Sequence, residues 1–277
     1  MIVEISKEKL YYFAFVLWFI FAGLLPRTSF SVEEMAFVDF TNRCADMLVL
    51  VICSVIIVFF QRYEKEELTK IASASIFILI SSILSGNFKI LSVWLFVVAG
   101  KEIEFDKIVR LVYRMSVFLL PCVMVLSQLG VLKAYTRLRR ETILRQSMGF
   151  RSPNNMGEVI FLVCICHIYL NYYKMKPMHF VYMLLGGVFC LVVPNSQTAT
   201  ILIFLMIPIY LMGTVFEKNE KEQVLSKILM LGTVISSVIS VRLCVFGLPK
   251  KEWLVVADRL LSHRFSYSHK VIEMYGV

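Results

Sequence analysis

Residues 133–155 read KAYTRLRRETILRQSMGFRSPNN, with six basic side chains at Lys133, Arg137, Arg139, Arg140, Arg145 and Arg151. A guanidinium stays charged at all relevant pH and grips phosphate oxygens in bidentate fashion, so a segment of this kind is suited to holding an anion. It is not a simple charge run. It ends in a turn built from Gly149, Pro153 and Asn154, directly before an apolar stretch. Glycine supplies unusual backbone angles and proline fixes one. Asn154 or Asn155 is placed to cap the helix that follows, with Glu158 near its first turn. The competing reading of the same residues is a helix cap flanked by interfacial arginines. A second basic segment, residues 248–277, carries five basic residues, among them Arg264.

The elements that must position these residues follow from composition. The chain has 277 residues, of which 58% are hydrophobic and 18% charged. Soluble domains carry roughly 25% charged residues, and a soluble fold of this length could not hide so much apolar surface. Disorder, collagen and coiled coil are excluded on the same grounds. The expected fold class is all-α, a polytopic membrane protein. The net charge of +9 then points to cytoplasmic loops or anionic headgroups, and no nucleic-acid motif is present. The seven cysteines fall mostly inside apolar runs and read as small packing residues.

A membrane helix needs about 20 mostly apolar residues. Apolar runs at residues 10–26, 47–60, 110–132, 155–173, 179–193, 198–215 and 228–246 meet or approach that length. The first follows Lys7 and Lys9, lacks a small-x-small cleavage site, and reads as a signal anchor. Residues 71–99 are too long for one span and poor for two, because Gly86, Asn87 and Lys89 interrupt them. Counted as two short helices they bring the total to about nine. With a cytoplasmic N-terminus the basic loop residues of that arrangement divide equally between the two sides. Making residues 71–99 a single unit flips everything downstream and is slightly favoured on charge alone. The whole chain is expected to form a single integral membrane domain, without internal repeats. Arg242, His167 and Asn171 stand out among the polar residues within spans. Arg242 near a helix end either snorkels to the interface or contacts substrate. His167 and Asn171 share one helix face at i and i+4, a pattern expected of interhelical hydrogen bonds.

An arginine, a short gap, then Gly-aromatic-x-x-Pro-Asn entering a membrane helix resembles the O-antigen polymerase and ligase superfamily. The likeness is to the bacterial capsular and exopolysaccharide repeat-unit polymerases (Wzy-type). The matching residues are Arg145, Gly149, Phe150, Pro153 and Asn154. Ser196-Gln197-Thr198 resembles the family's Ser-Arg-Thr element at the outer mouth of a later helix, with Gln197 in place of the arginine. Ser262-His263-Arg264 resembles its Ser-Gly-Arg stretch, which opens an amphipathic helix ending near Tyr-Gly, here Tyr275-Gly276. The likeness covers residues 145–276, and the earlier spans match only in general character.

The resemblance implies an enzyme of the bacterial cytoplasmic membrane. It would join lipid-linked oligosaccharide repeat units into a surface polysaccharide such as capsule, exopolysaccharide or O-antigen. The reaction is glycosyl transfer from a polyprenyl-diphosphate-linked chain to another lipid-linked unit. No metal or cofactor is implied. Residues 133–155 become an outer basic loop and residues 248–277 the start of a larger outer loop, which favours the nine-span arrangement. Arg145 and Arg264 are then the expected catalytic contacts to the diphosphate leaving group. His263 and His269 are expected as candidate bases for the acceptor hydroxyl. Arg139, Arg140, Arg151, Asn154, Ser196, Gln197 and Arg242 are expected to bind substrate. Partners would be the polyprenyl-diphosphate-linked substrate, membrane lipids, and flippase and chain-length regulator proteins, with no nucleic acid. Family members continue beyond the Tyr-Gly position through further spans, so a C-terminal truncation is expected. The rival classes are a membrane transporter, which would favour two related halves and midplane ionisable groups, and a non-catalytic partner of the envelope polysaccharide machinery.

Overall fold

The computed structural model describes residues 6–86, 88–139, 143–174, 176–218, 222–247, 252–260 and 264–275. The chain is mainly helical. Among the described residues, seven helices are long and apolar enough to cross a membrane: Lys7–Arg27, Met35–Phe60, Lys65–Ser85, Phe105–Gln128, Pro153–Asn171, Gln197–Val215 and Ser226–Phe246. Two of the nine expected spans are shorter apolar helices, Lys89–Ala99 and Pro177–Val192. Local chemistry cuts them short. The first is preceded by Gly86 in the left-handed conformation (φ 64°) and followed by Gly100; the second lies between Pro177 and Pro194.

In chain order the elements are α1 (Lys7–Trp18, continued by π and 3₁₀ turns to Arg27), α2 (Phe30–Glu33), α3 (Met35–Val55, continued to Phe60), α4 (Lys65–Ser85) and α5 (Lys89–Ala99). They continue with α6 (Phe105–Gln128), strands β1 (Thr136–Arg139) and β2 (Ile143–Gln146), α7 (Pro153–Asn171) and α8 (Pro177–Val192). The remainder is α9 (Gln197–Lys218), α10 (Glu222–Phe246), α11 (Glu252–Leu260) and α12 (Arg264–Tyr275). The chain divides into two compact units: residues 1–175 with 189–196, and residues 176–188 with 197–277.

In the first unit, α1, α3 and α5 enclose a core of Tyr11, Ala14, Val49, Cys53, Ile56, Phe96 and Ala99. Phe96 meets Tyr11, Phe15 and Trp18 edge-on, an arrangement that favours ring quadrupoles. Helix α3 starts well before the apolar run at residue 47. The bundle satisfies one of its polar residues: Asp46 accepts from Trp18 Nε1 and from Ser92 Oγ, both at 3.1 Å.

Polar contacts assign the helix ends to two groups. At one end, Lys7 Nζ reaches the Lys101 carbonyl at 2.6 Å and Glu102 at 2.9 Å. Lys101 Nζ in turn reaches Glu67 at 2.6 Å and lies 4.8 Å from the Tyr63 ring centre. Gln61 donates to the Ala99 carbonyl at 2.6 Å, and the Tyr63 hydroxyl contacts Gln61. Burial, and then the carboxylates Glu67 and Glu102, push the Tyr63 phenol upward. The segments just before α4 and just after α5 are therefore hydrogen-bonded to each other, so α4 and α5 go out and return to the same end. At the other end, Thr28 bridges Phe150 and the Arg151 N–H donates to the Arg27 carbonyl at 2.7 Å. The 21 residues of Lys7–Arg27 separate the two ends by roughly 30 Å.

Helices α6 and α7 pack antiparallel. Tyr113 bonds His167 at 3.0 Å and the Tyr169 hydroxyl donates to Asp106 at 2.7 Å. Among the described residues, His167 makes the interhelical bond expected of the His167–Asn171 pair, while Asn171 turns back onto the His167 carbonyl at 2.8 Å.

In the second unit, Gly187 lets α8 and α9 approach closely, since a Cβ there would lie 2.6 Å from the Phe204 ring. Helix α12 lies against α10, and Asp258, 2% exposed, accepts from the Phe265 N–H at 3.0 Å and from the Ser266 hydroxyl, joining α11 to the start of α12.

Candidate functional site

The basic segment expected to be a loop contains a β-hairpin. Strands β1 and β2 pair antiparallel with Arg137 opposite Arg145 and Leu138 opposite Leu144. The alternation of arginine with threonine and leucine in TRLR is the period of a strand, whereas ILRQ does not alternate. Ser147 closes the open end of the hairpin: its N–H donates to the Tyr135 carbonyl at 3.0 Å, and its hydroxyl accepts from the Tyr135 N–H at 2.9 Å.

The strand β2 then docks on the end of α8. The Gln146 N–H donates to the Val193 carbonyl at 3.2 Å, and Arg145 Nε donates to the Pro194 carbonyl at 2.9 Å. Pro194 follows the last turn of a helix, where carbonyls lack intrahelical partners, so a guanidinium is a fitting donor. Arg145 Nη2 also donates to Asn154 Oδ1 at 2.6 Å. Asn195 takes a left-handed turn (φ 44°), and the Ser196 N–H returns to the Cys190 carbonyl at 3.0 Å. Ser196 is buried at 4% exposure, while Gln197 opens α9 in the second unit.

The turn after β2 is held from three sides. Gly149 has φ 85°, and a Cβ there would lie 2.8 Å from the Val123 carbonyl oxygen and 2.9 Å from Ser127 Cβ. No other residue type fits that pocket without displacing α6. The Gly149 carbonyl accepts from the Ser29 N–H at 2.8 Å, and Phe150 is fully buried. Neither Asn154 nor Asn155 caps α7. Ser152 does, its hydroxyl accepting from the Asn155 N–H at 3.3 Å, with Pro153 in the first turn. Proline lacks an N–H and has a preset φ, so it takes the first helical position and moves the cap one residue upstream. That leaves the Asn154 carboxamide available to Arg145. Glu158 faces Arg27 at 3.6 Å instead of acting at the helix start.

The remaining expected residues divide by position. Arg151 is exposed beside Arg27, in the same turn as Phe150. Arg139 ends β1, opposite Ile143. Arg140, Ser262, His263 and Gly276 lie outside the described residues. Arg242, Arg264 and His269 belong to the second unit, Arg242 exposed on α10 and Arg264 exposed at the first position of α12, the helix that ends at Tyr275. His269 Nδ1 lies 3.1 Å from the Cys244 carbonyl and Nε2 3.2 Å from Glu273, with the ring against Gly247. Because Nδ1 faces an acceptor, it carries a proton. The ring thus serves as a strut between α10 and α12.

Within the first unit the structure therefore joins Arg145, Asn154 and the Pro194–Ser196 turn into one cluster, at the end of the bundle that holds Arg27 and Arg151.

The chain matches no protein-family model, no curated protein and no solved structure.

Sequence reasoning overlooked three groups in this cluster: the Pro194 carbonyl, Ser147 and Arg27. A backbone carbonyl has no sequence signature. Ser147 was visible only as a polar residue before Gly149, and Arg27 as a charge after the first span. Among the described residues no group of three or more His, Cys, Asp or Glu side chains is arranged to hold a metal ion.

Proposed function

We propose that this protein polymerises lipid-linked oligosaccharide repeat units into a surface polysaccharide, as a membrane-embedded glycosyltransferase of the O-antigen polymerase and ligase kind. One observation carries the reading. Arg145 holds Asn154 at 2.6 Å and the Pro194 carbonyl at 2.9 Å, so the element that resembles the family's first is bonded to the turn leading into Ser196, where the second begins.

The chemistry fits a diphosphate leaving group. An acceptor sugar hydroxyl attacks the anomeric carbon of the donor, the bond to the diphosphate oxygen breaks, and polyprenyl diphosphate leaves while the hydroxyl proton passes to a base. Charge develops on the departing oxygen, and preoriented guanidinium groups stabilise it there. The bonds to Asn154 and Pro194 hold the Arg145 fork in a set orientation, which is the property such a group needs. Arg151 supplies further positive charge in the same turn. The polyprenyl tail would lie in the bilayer beside the helices.

In this reading α5 and α8 complete nine membrane passages, the N-terminus faces the cytoplasm of a bacterial cell, and the hairpin faces outward. The return of α5 to the end where α4 began supports an even number of passages over residues 71–99. A flippase and a chain-length regulator are the expected partners.

The test is complementation. The gene is deleted, these 277 residues are restored, and lipid-linked and surface glycans are resolved by chain length. Collapse of the ladder to single repeat units on deletion, with recovery on restoration, is the expected result. A ladder untouched by deletion removes the reading and brings a transporter or a non-catalytic partner forward.

A further inference from the structure

At the end of the bundle opposite the hairpin, α1 and α6 leave a groove of about 500 Å³ lined by Tyr12, Phe13, Val16, Lys107, Arg110, Leu111 and Arg114. Four of the lining residues are apolar or aromatic and three are cationic. Lys107 is matched locally, by Glu104 at 3.0 Å and Glu8 at 3.8 Å, and the nearby Asp106 accepts from Tyr169. Arg110 and Arg114 are exposed and make no ion pair among the described residues. The Tyr12 hydroxyl is shielded from solvent and has no hydrogen-bond partner among the described residues.

Depth makes this arrangement informative. Arg114 is nine residues into α6, which at about 1.5 Å per residue places its backbone roughly 13 Å from the helix start. Val16 lies equally far into α1, which starts at the same end. An arginine at that depth on an open face is unfavourable unless its guanidinium reaches the headgroup layer or an anion. Helical side chains lean toward the N-terminus, so Arg110 and Arg114, one turn apart, both project toward the Lys107 end of the groove. Two guanidiniums then converge above an apolar floor of Phe13, Val16 and Leu111. The ligand that answers each part has an anionic phosphate at headgroup height and acyl chains below it.

We propose that this groove binds an anionic phospholipid, its phosphate between Arg110 and Arg114 and its acyl chains over Phe13 and Val16. The site lies at the Lys7 end and is independent of the polymerase reading.

The test is native mass spectrometry of the purified full chain in detergent, titrated with dioleoyl-phosphatidylglycerol or dioleoyl-phosphatidylcholine. One phosphatidylglycerol should be retained with roughly thirtyfold preference, given the contribution of about two surface arginines. Arg110→Gln with Arg114→Gln should abolish the preference. Lys89→Gln, at the far end of α5, should leave it unchanged. Equal retention of the two lipids, an undiminished preference in the double variant, or displacement of phosphatidylglycerol by excess inorganic phosphate would each overturn the proposal.

Discussion

Arg145 Nη2 lies 2.6 Å from Asn154 Oδ1, so the second strand of a surface hairpin is tied to the first turn of a membrane helix nine residues later in the chain. The same guanidinium closes on Pro194, 49 residues away, through Nε. One side chain thereby sets the relative position of β2, α7 and the end of α8.

Arg145→Lys should fail almost as completely as Arg145→Ala. A lysine is a flexible point charge and cannot hold two acceptors at the fixed angle of a guanidinium fork. Asn154→Asp keeps an acceptor for the fork and should retain function, whereas Asn154→Ala loses a bond to a charged donor worth about 1.5–3 kcal/mol. Polymer length on a gel, normalised to protein level, reads all four. Full-length polymer from Arg145→Ala would remove its assigned role.

Gly149→Ala should destabilise the protein by about 2 kcal/mol or more, because left-handed strain is compounded by a Cβ pressed against the Val123 carbonyl. Gly86→Ala is the control. It carries the same backbone strain with open space around the Cβ, and about 1 kcal/mol is expected. Thermal melts in detergent compare the two. Equal shifts would mean that the contact with α6 contributes nothing.

The hydrogen bond from Lys7 holds the Glu102 carboxyl below its ordinary value of 4.5. A depressed carboxyl contributes stability that is fully present above the unfolded value and is lost as pH falls through the folded one. Wild-type protein should therefore lose stability below about pH 4.5 more steeply than Glu102→Gln, which cannot titrate. Melting temperature against pH for the two proteins checks this; parallel curves would exclude the linkage.

Asp258→Ala should loosen the junction of α11 and α12. Its carboxylate accepts from Phe265 N–H and the Ser266 hydroxyl at the start of α12, where the helix dipole also favours negative charge. A local cost of about 2 kcal/mol follows. Limited proteolysis should cut the variant near residue 264 at a protease level that leaves wild type and Asp258→Asn intact.

Cysteines introduced at Glu64 and Leu138, in a background with the native cysteines replaced, should react with an impermeant label from opposite sides of the membrane. Glu64→Cys and Glu102→Cys should react from the same side, since Lys101 joins their segments through Arg62 and Glu67. Labelling of positions 64 and 138 from one side would contradict the two groups of helix ends.

Much of this protein was legible before any coordinates. Apolar run length and the scarcity of charge were enough to identify a helical membrane protein, because a bilayer core demands long segments that satisfy their own backbone. The turn at Gly149 and Pro153 was equally visible, since glycine and proline act through local backbone geometry. Other features depended on partners distant in the chain. Helix α3 carries Asp46 in its interior, where Trp18 and Ser92 satisfy the carboxylate, and neither neighbour can be inferred from residues 35–46. The hairpin forms where a loop was expected because the end of α8 offers carbonyls to β2. Residues 71–99 return to the end they left because Gln61 and Lys101 bond across the gap. Sequence alone determined the solvent, the helical class and the local turns, all of which depend on neighbours within about one helical turn. Tertiary structure alone decided which arginine is held, by what and at which end of the bundle, because a hydrogen bond depends on distance in space and not on separation along the chain.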